Sequence, residues 1–179
     1  MKNLYCIVGP SGAGKTTIVE ELYRRFGYKA VASYTTRPPR CEGEEGHVFV
    51  NDVQFDALTD KVAFTEFSGY RYCVTRAQLA DCDLYVIDPA GIKELLRHDI
   101  GKQVRVIGIC AGFDVLKERM QARGDAGEAI EKRLTHDKEA FKEMTDIADV
   151  VFQNNCLDRT IRDICTYIKE EENEGIREK

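Results

Sequence analysis

The segment formed by residues 9–16 constrains the fold of this chain more than any other part of the sequence. It reads Gly-Pro-Ser-Gly-Ala-Gly-Lys-Thr, follows the apolar residues 4–8 and precedes a stretch with helical periodicity that ends at Phe26. Glycines let a backbone approach a ligand closely, and the first amides of a helix attract anions. The pattern therefore predicts a phosphate-binding loop between a buried strand and a helix. A glycine turn that Lys-Thr follows by chance is the alternative.

The residues of this loop have predicted roles toward ATP and Mg²⁺. Lys15 reaches the outer phosphates, and Thr16 offers its hydroxyl to the metal ion, because Mg²⁺ takes few protein oxygen ligands beside the phosphates that it shares. The other residues of the segment that are predicted to bind the nucleotide are Gly9, Ser11, Gly12, Ala13, Gly14 and Thr17.

The composition limits the partners and the compartment that we expect. A chain of 179 residues forms one ordinary domain, and its formal net charge of −5 argues against a nucleic-acid surface. The seven cysteines are odd in number and include no Cys-x-x-Cys pair, so neither a disulfide framework nor a zinc site is indicated. No apolar stretch approaches the ~20 residues of a membrane span, and no signal peptide precedes the first strand. We therefore expect a cytoplasmic protein that binds no membrane.

Short apolar runs alternate with amphipathic stretches, which predicts an α/β fold with a parallel sheet covered by helices on both faces. The predicted strands are 4–8, 30–33, 84–88, 104–110 and 150–153, and the predicted helices are 15–26, 89–97, 113–122, 130–144 and 157–172. Residues 34–80 differ, because short strands at 49–50, 63–67 and 70–74 around a small helix at 51–58 indicate an inserted antiparallel subdomain. The charged end, from residue 169, is expected to fray.

The insertion opens with an arginine-rich motif. Residues 33–40 read Ser-Tyr-Thr-Thr-Arg-Pro-Pro-Arg, which places Ser33, Arg37 and Arg40 close together in the sequence. Two guanidinium groups and a hydroxyl can hold a phosphate dianion through charge-assisted hydrogen bonds. A solvent-exposed arginine-rich loop is the alternative. The motif resembles the Ser-x-Thr-Thr-Arg-x-x-Arg signature of the guanylate kinases, and the resemblance continues in the same order over nearly the whole chain.

The resemblance implies a P-loop nucleoside-monophosphate kinase with a monophosphate-binding insertion and a helical lid. Residues 68–72, Ser-Gly-Tyr-Arg-Tyr, are similar to a family motif whose last tyrosine, here Tyr72, contacts the acceptor phosphate. Residues 88–91, Asp-Pro-Ala-Gly, are similar to a motif whose aspartate, here Asp88, lies at the nucleotide site. Asp88 is equally a candidate helix N-cap before a proline. Asn154 matches an asparagine that lies beside the adenine of ATP.

The implied lid spans residues 119–135 and supplies arginines to the transferred phosphate. Arg123 and Arg133 are its predicted catalytic residues, beside Lys15 and Arg37, and Arg119 is predicted to bind ATP. Phosphoryl transfer depends on positioning and on cations against phosphate oxygens, which suits arginines that arrive on closure. A solvated basic helix is the alternative. The remaining predicted segments are the core at 1–33, 81–118 and 136–172, the insertion at 34–80 and a tail at 173–179.

The base-reading half of the resemblance is incomplete. Ala63 stands where the family usually has a glutamate that reads the guanine edge, and Val74 stands where it has a hydroxyl residue. Glu66 cannot replace the carboxylate, since residues 63 and 66 point to opposite faces of a regular strand. His47 takes the place of a phosphate-binding tyrosine; it can donate to phosphate, but its charge depends on pH. Val86 occupies a position that is often acidic, and the lid is one residue short.

The expected function is transfer of the γ-phosphate of ATP to GMP or dGMP, with Mg²⁺ as cofactor and nucleotides as partners of a monomer or homodimer. The main alternative, favoured by Ala63 and Val74, is a kinase for another small phosphorylated acceptor, such as a different nucleotide or a ribose bisphosphate. A non-catalytic module of the same family is disfavoured because Lys15 and the lid arginines are present. A GTPase switch is disfavoured because no Asn-Lys-x-Asp motif follows Asp88.

Overall fold

The computed structural model describes residues 2–67 and 69–177. In this part of the chain the strands are β1 (Asn3–Val8), β2 (Ser33–Thr35), β3 (His47–Phe49), β4 (Lys61–Phe67), β5 (Tyr70–Thr75), β6 (Leu84–Val86), β7 (Gln103–Cys110) and β8 (Val150–Gln153). The helices are α1 (Lys15–Phe26), α2 (Asp52–Asp56), α3 (Arg76–Ala80), α4 (Pro89–Leu95), α5 (Phe113–Ala122), α6 (Gly127–Ile147) and α7 (Leu157–Arg177).

A parallel sheet with the strand order β6-β1-β7-β8 forms the centre of the molecule. Strand β1 alternates between its two faces, because Tyr5 and Ile7 belong to one hydrophobic cluster and Leu4, Cys6 and Val8 to another. All five side chains are at most 1% exposed. In a strand buried on both faces, apolar and polar residues do not need to alternate, which explains the continuous apolar run in the sequence.

Different elements cover the two faces of this sheet. Helices α1, α5 and α7 pack on the face of Ile7, whereas α4 and the inserted second sheet pack on the face of Cys6. The long helix α6 reaches both clusters, since Leu134 lies in the first and Met144 in the second. The predicted α/β fold, with a parallel sheet covered on both faces, is therefore confirmed.

The insertion contains a second sheet with the order β3-β2-β5-β4. Strand β2 pairs with β3 in parallel and with β5 antiparallel, so the sheet is mixed rather than antiparallel throughout. Strand β4 has a bulge between Val62 and Thr65, where Ala63 has a φ of 54°. The extra residue pairs Thr65 with Tyr72, so that these two side chains share one face and Glu66 takes the other.

The predicted strand at residues 30–33 is wrong. Ala30 forms a single parallel bridge to Leu84, and the Val31 amide donates to the carbonyl oxygen of Leu84. Strand β2 then begins at Ser33 and belongs to the second sheet. After this bridge the chain leaves the parallel sheet, and Ser33 pairs instead with His47 of β3.

The helices differ from the prediction mainly at their ends. Helix α3 was not predicted, although Thr75 and Gln78 form a capping box, which is a recognisable sequence signal. Helix α6 extends beyond the predicted range at both ends. Helix α7 continues to Arg177, so the predicted tail is helical up to that residue, and residues 178–179 lie outside the described residues. Neither of these long helices, nor any other described helix, is long and apolar enough to cross a membrane.

Candidate functional site

The phosphate-binding loop lies between β1 and α1, at the carboxyl edge of the parallel sheet, where open α/β folds bind ligands. Gly12 and Gly14 have φ angles of 80° and 90°. A Cβ atom on them would lie 2.7 Å from the carbonyl oxygen of Leu116 and 2.6 Å from Nδ2 of Asn154, respectively. Glycine is therefore required for the loop to pack against α5 and the segment after β8. The other predicted residues of the loop and the first helical turn are Gly9, Ser11, Ala13, Thr16 and Thr17, of which the two threonines are exposed.

Lys15 begins helix α1 and its side chain folds back over the loop. Its Nζ atom donates to the carbonyl oxygens of Gly9 and Pro10, at 2.6 and 3.0 Å. Burial lowers the pKa of Lys15 to about 8, while the Asp137 carboxylate acts to raise it and the charge of Arg123 lowers it further. Two backbone carbonyls and the carboxylates of Asp137 and Asp88 thus stabilise the charge of Lys15, and a polyphosphate would stabilise it more.

Arg119 and Asn154 donate hydrogen bonds to the backbone of the phosphate-binding loop. The Arg119 guanidinium donates to the carbonyl oxygens of Gly12, Ala13 and Asn154, at 3.3, 3.4 and 3.0 Å. Nδ2 of Asn154 donates to the Ala13 carbonyl oxygen at 2.8 Å, and this side chain is buried. In this conformation both residues hold the loop backbone, so their predicted contacts with ATP stay predictions.

Arg37, from the arginine-rich motif, is held by Glu44. The guanidinium donates to the two carboxylate oxygens at 2.7 and 3.2 Å, and the Arg40 amide donates to the same carboxylate at 2.6 Å. Burial raises the pKa of Glu44, but the hydrogen bonds from Arg37 and Arg40 outweigh it and bring the pKa to about 2. The Arg37 side chain is 9% exposed, and its Nε–H group has no hydrogen-bond partner among the described residues. The charge of Arg37 is paired with Glu44, but the partnerless buried Nε–H makes this edge of the guanidinium a candidate contact for an anion.

Three residues predicted to bind the acceptor, Ser33, His47 and Tyr72, lie together near this guanidinium. Oγ of Ser33 lies 2.8 Å from Nδ1 of His47, and the ring centroids of His47 and Tyr72 are 6.0 Å apart. Burial lowers the pKa of His47, and the positive charge of Arg37 lowers it further. The imidazole is therefore favoured in its neutral form, in which one ring nitrogen donates and the other accepts.

The two predicted lid arginines share one carboxylate. Arg123, at the end of α5, and Arg133, on α6, both donate to Asp125, the second at 3.1 Å. Burial raises the pKa of Asp125, but the two arginines outweigh it and the pKa is lowered. The charge of Arg40 also lowers the pKa of Asp125, and the pKa of Arg40 is itself lowered by burial and then by the charges of Arg37, Arg133 and Arg123. The insertion and the predicted lid therefore present their cations to one common region.

Asp88 lies two residues beyond β6 and is the N-cap of helix α4. One carboxylate oxygen accepts from the Gly91 amide at 2.7 Å, with Pro89 at the first helical position, so the N-cap interpretation is confirmed. The other oxygen lies 3.4 Å from the Thr65 hydroxyl. Because the side chain is exposed, the second oxygen is open to a ligand.

A fourth carboxylate lies at the phosphate-binding loop itself. The Ser11 amide donates to the Oδ2 atom of Asp137, on helix α6, at 2.7 Å. The loop, the insertion and the lid are thus each in contact with an acidic side chain.

Known proteins resemble this chain over nearly its whole length. The family model described as guanylate kinase matches residues 1–171. The chain belongs to the guanylate kinase family. A guanylate kinase of Polaromonas sp. (strain JS666 / ATCC BAA-500) is 30% identical, in an alignment that covers 93% of this chain and 86% of the relative. A guanylate kinase of Neisseria meningitidis serogroup A is 33% identical, with 90% of this chain and 84% of the relative covered.

The fold is also that of a solved member of the guanylate kinase family. The crystal structure of guanylate kinase from Anaplasma phagocytophilum superposes with a TM-score of 0.68 at 19% identity, and covers 95% of this chain and 86% of that chain.

The two positions that should read the base in a guanylate kinase lie in the core here. Ala63 is 1% exposed and Val74 is 0% exposed, and both pack in the cluster that joins the insertion to the parallel sheet. Neither offers a hydrogen-bonding side chain to an acceptor. Ser68, which opens one of the predicted motifs, lies outside the described residues.

Sequence reasoning missed the acidic partners of the predicted cations and one hydroxyl beside Asp88. Glu44 lies in an acidic loop and Asp125 lies two residues after Arg123, but nothing in their spacing indicates that they bind arginines. Thr65 was missed because the bulge in β4 shifts the alternation by one residue. Such partners depend on loop conformations that no short motif encodes.

Proposed function

We propose that this protein transfers the γ-phosphate of ATP, bound with Mg²⁺, to the phosphate of GMP or dGMP, which yields ADP and GDP or dGDP. The observation that carries the proposal is the convergence of cations from three separate segments: the loop supplies Lys15, the insertion supplies Arg37 and Arg40, and the lid supplies Arg123 and Arg133. So many cations in one region need polyanions, and phosphoryl transfer brings two phosphate chains together.

The residues divide between donor and acceptor. The loop amides and Lys15 hold the outer phosphates of ATP. The acceptor phosphate binds the Nε–H edge of Arg37, together with Arg40, Ser33, His47 and Tyr72. The lid arginines, Arg123 and Arg133, exchange Asp125 for the oxygens of the transferred phosphate and stabilise the charge that develops there.

The residues at the loop fit a magnesium ion bound mainly through phosphates. Among the described residues no group of three His, Cys, Asp or Glu side chains could hold a metal ion by itself. Mg²⁺ in kinases needs no such cage, because the nucleotide and water supply most of its ligands. Thr16, exposed at the start of α1, supplies the protein hydroxyl. A bound magnesium ion would supply positive charge against the phosphate oxygens.

The acceptor base lies against Asp88, whose free carboxylate oxygen accepts from the N–H groups of the guanine edge. A kinase for a different phosphorylated acceptor is the second candidate, and the burial of Ala63 and Val74 favours it, because the usual base-reading pair is absent.

An acceptor screen tests the proposal. Purified protein with Mg-ATP is given GMP, dGMP, AMP, IMP or ribose 1,5-bisphosphate, and the phosphorylated products are measured by chromatography. Efficient GDP formation is expected, with none by a Lys15→Ala variant that unfolds at the wild-type temperature. Turnover of ribose bisphosphate alone would replace GMP as the acceptor, and transfer to no acceptor would reject the kinase.

The proposal also covers the arrangement of lid, core and insertion and the cellular compartment. Residues 119–135 act as the lid on a core formed by 1–33, 81–118 and 136–172, with the insertion at 34–80. The protein works in the cytoplasm as a monomer or homodimer. All seven cysteines are free thiols, which supports a reducing compartment.

A further inference from the structure

Asp137 places a carboxylate where the phosphate-binding loop offers its amides. The distance from the Ser11 nitrogen to Oδ2 of Asp137 is 2.7 Å, which is typical of a charge-assisted hydrogen bond. A carboxylate oxygen and a phosphate oxygen are both anionic acceptors, so the same amide can serve either. The negative charge of Asp137 also acts on Lys15, whose pKa it raises against the effect of burial.

The packing of helix α6 fixes this position. Leu134 is 6% exposed, and together with Leu116 of α5 and Pro10 of the loop it lines a cavity of about 280 Å³ that Asp137 also lines. Because Leu134 lies one helical turn before Asp137, its burial aims that turn of α6 at the loop. The contact is therefore set by the fold rather than by a freely rotating surface side chain.

We infer that Asp137 is an internal ligand of the phosphate-binding loop, which the terminal phosphates of the nucleotide donor displace. The inference rests on the proposed function only in placing a polyphosphate at this loop. Without nucleotide the carboxylate satisfies the Ser11 amide; when a polyphosphate binds, the like charges repel and Asp137 leaves. Arg133 precedes Asp137 by four residues on the same helix, so this exchange takes place one turn from a lid arginine.

Binding measurements on Asp137→Asn test the inference. This variant keeps the size of the side chain and removes the charge. Asp146→Asn is the matched control, because Asp146 is exposed in the last turn of the same helix. The ligands are Mg-ATP, inorganic tripolyphosphate and AMP, followed by isothermal titration calorimetry.

The expected result is a dissociation constant for Mg-ATP and for tripolyphosphate that falls about tenfold in Asp137→Asn, the scale of one charge-assisted hydrogen bond. AMP binding stays the same, and Asp146→Asn behaves as wild type. Unchanged or weaker polyphosphate binding in Asp137→Asn would overturn the inference, and weaker binding would mean that the carboxylate assists the donor. Thermal unfolding shows whether the variant is folded. The amide resonance of Ser11 reports on the contact itself: it should move on substitution of Asp137, and also when tripolyphosphate is added to the wild type.

The outcome is independent of the acceptor. If GMP is not phosphorylated but tripolyphosphate binding tightens in Asp137→Asn, the proposed function fails and the inference stands. If GMP is phosphorylated and polyphosphate binding does not change, the inference fails and the proposed function stands.

Discussion

Two regions of the insertion differ in polarity. Charged side chains surround Arg37, whose guanidinium donates two hydrogen bonds to the carboxylate of Glu44. Around Ala63 and Val74, in contrast, the insertion is apolar and closed to solvent. The two regions approach each other on β5, where Tyr72 lies two residues before Val74. The charged region depends on side chains that a short motif supplies in order. The apolar region depends on a bulge and on packing against α4, which the neighbouring residues do not reveal. The residues proposed for the acceptor phosphate therefore follow from a local sequence motif, whereas the environment of residues 63 and 74 follows from the packing of distant segments.

The strongest test of the charged region removes a lid arginine. Arg133→Ala is expected to lower kcat about a hundredfold and to change KM for either substrate much less, because a donor that engages on closure acts mainly in the transition state. Steady-state kinetics measures both constants. Arg159→Ala, a 79% exposed arginine on α7, is the control and should be neutral. An effect on KM alone would make Arg133 a binding residue only.

Arg37 tests ground-state binding in the same region. Arg37→Ala should raise the acceptor KM about 30- to 100-fold, since charge-assisted hydrogen bonds contribute about 1.5–3 kcal/mol, and should leave the KM for ATP unchanged. Arg37→Lys should recover little, because an ammonium group cannot replace the planar fork. The control is Arg76→Ala, which removes an exposed arginine of the same insertion. Equal losses for both substrates would show that Arg37 only holds the fold.

The apolar region is tested by restoring a carboxylate. In a regular strand Ala63→Glu would face the acceptor, but here the position is buried at a positive φ. We therefore expect Ala63→Glu to lower the free energy of unfolding by about 2–3 kcal/mol without sharpening GMP preference, because a buried charge would lack a partner. Urea unfolding measures this, with Ala57→Glu at an exposed site as the control. A stable variant with stronger GMP preference would show that the base does reach residue 63.

Thr65 lies where the two regions meet. Its hydroxyl is 3.4 Å from Asp88, so Thr65→Val should reduce the preference for GMP over AMP about five- to tenfold through a less well oriented carboxylate. The ratio of kcat/KM for GMP and AMP is the measurement. Thr65→Ser, which keeps the hydroxyl, should retain the preference; if it loses as much as Thr65→Val, the methyl group rather than the hydroxyl matters.

The smallest effect concerns pH. The pKa of Lys15 is lowered to about 8 in the nucleotide-free protein, and bound phosphate favours the charged form. Lys15 is therefore mostly charged below pH 8, and above it ATP binding must take up a proton. Affinity for Mg-ATP should fall about fourfold between pH 7 and 8.5. Titration calorimetry in buffers of different ionisation enthalpy should detect the proton uptake, and Lys15→Ala should abolish it.

The fold and the cationic half of the site could be predicted from the sequence, because both follow from local rules. The phosphate-binding loop, the strand at 150–153 and the helices at 15–26 and 113–122 have the predicted ends. The strand at 30–33 was wrong because the residues from Ser33 onward pair with β3 and β5 of the second sheet, and this pairing depends on distant segments. Glu44, Asp125 and Asp137 were missed for a related reason: an ion pair joins two positions that only the folded chain brings together.

Asp88 caps the first turn of α4 with one carboxylate oxygen, and its other oxygen faces the Thr65 hydroxyl. An enzyme engineer who wishes to change the accepted base meets a restriction here, because nearly any substitution of Asp88 would also loosen the start of the helix, at a cost of about 1 kcal/mol. The same restriction applies in evolution: we expect position 88 to tolerate only the few residue types that can cap a helix. Thr65, in contrast, lies on β4 and does not cap a helix. Under the proposed contact between Asp88 and the base, selectivity can therefore change through Thr65 while Asp88 is retained.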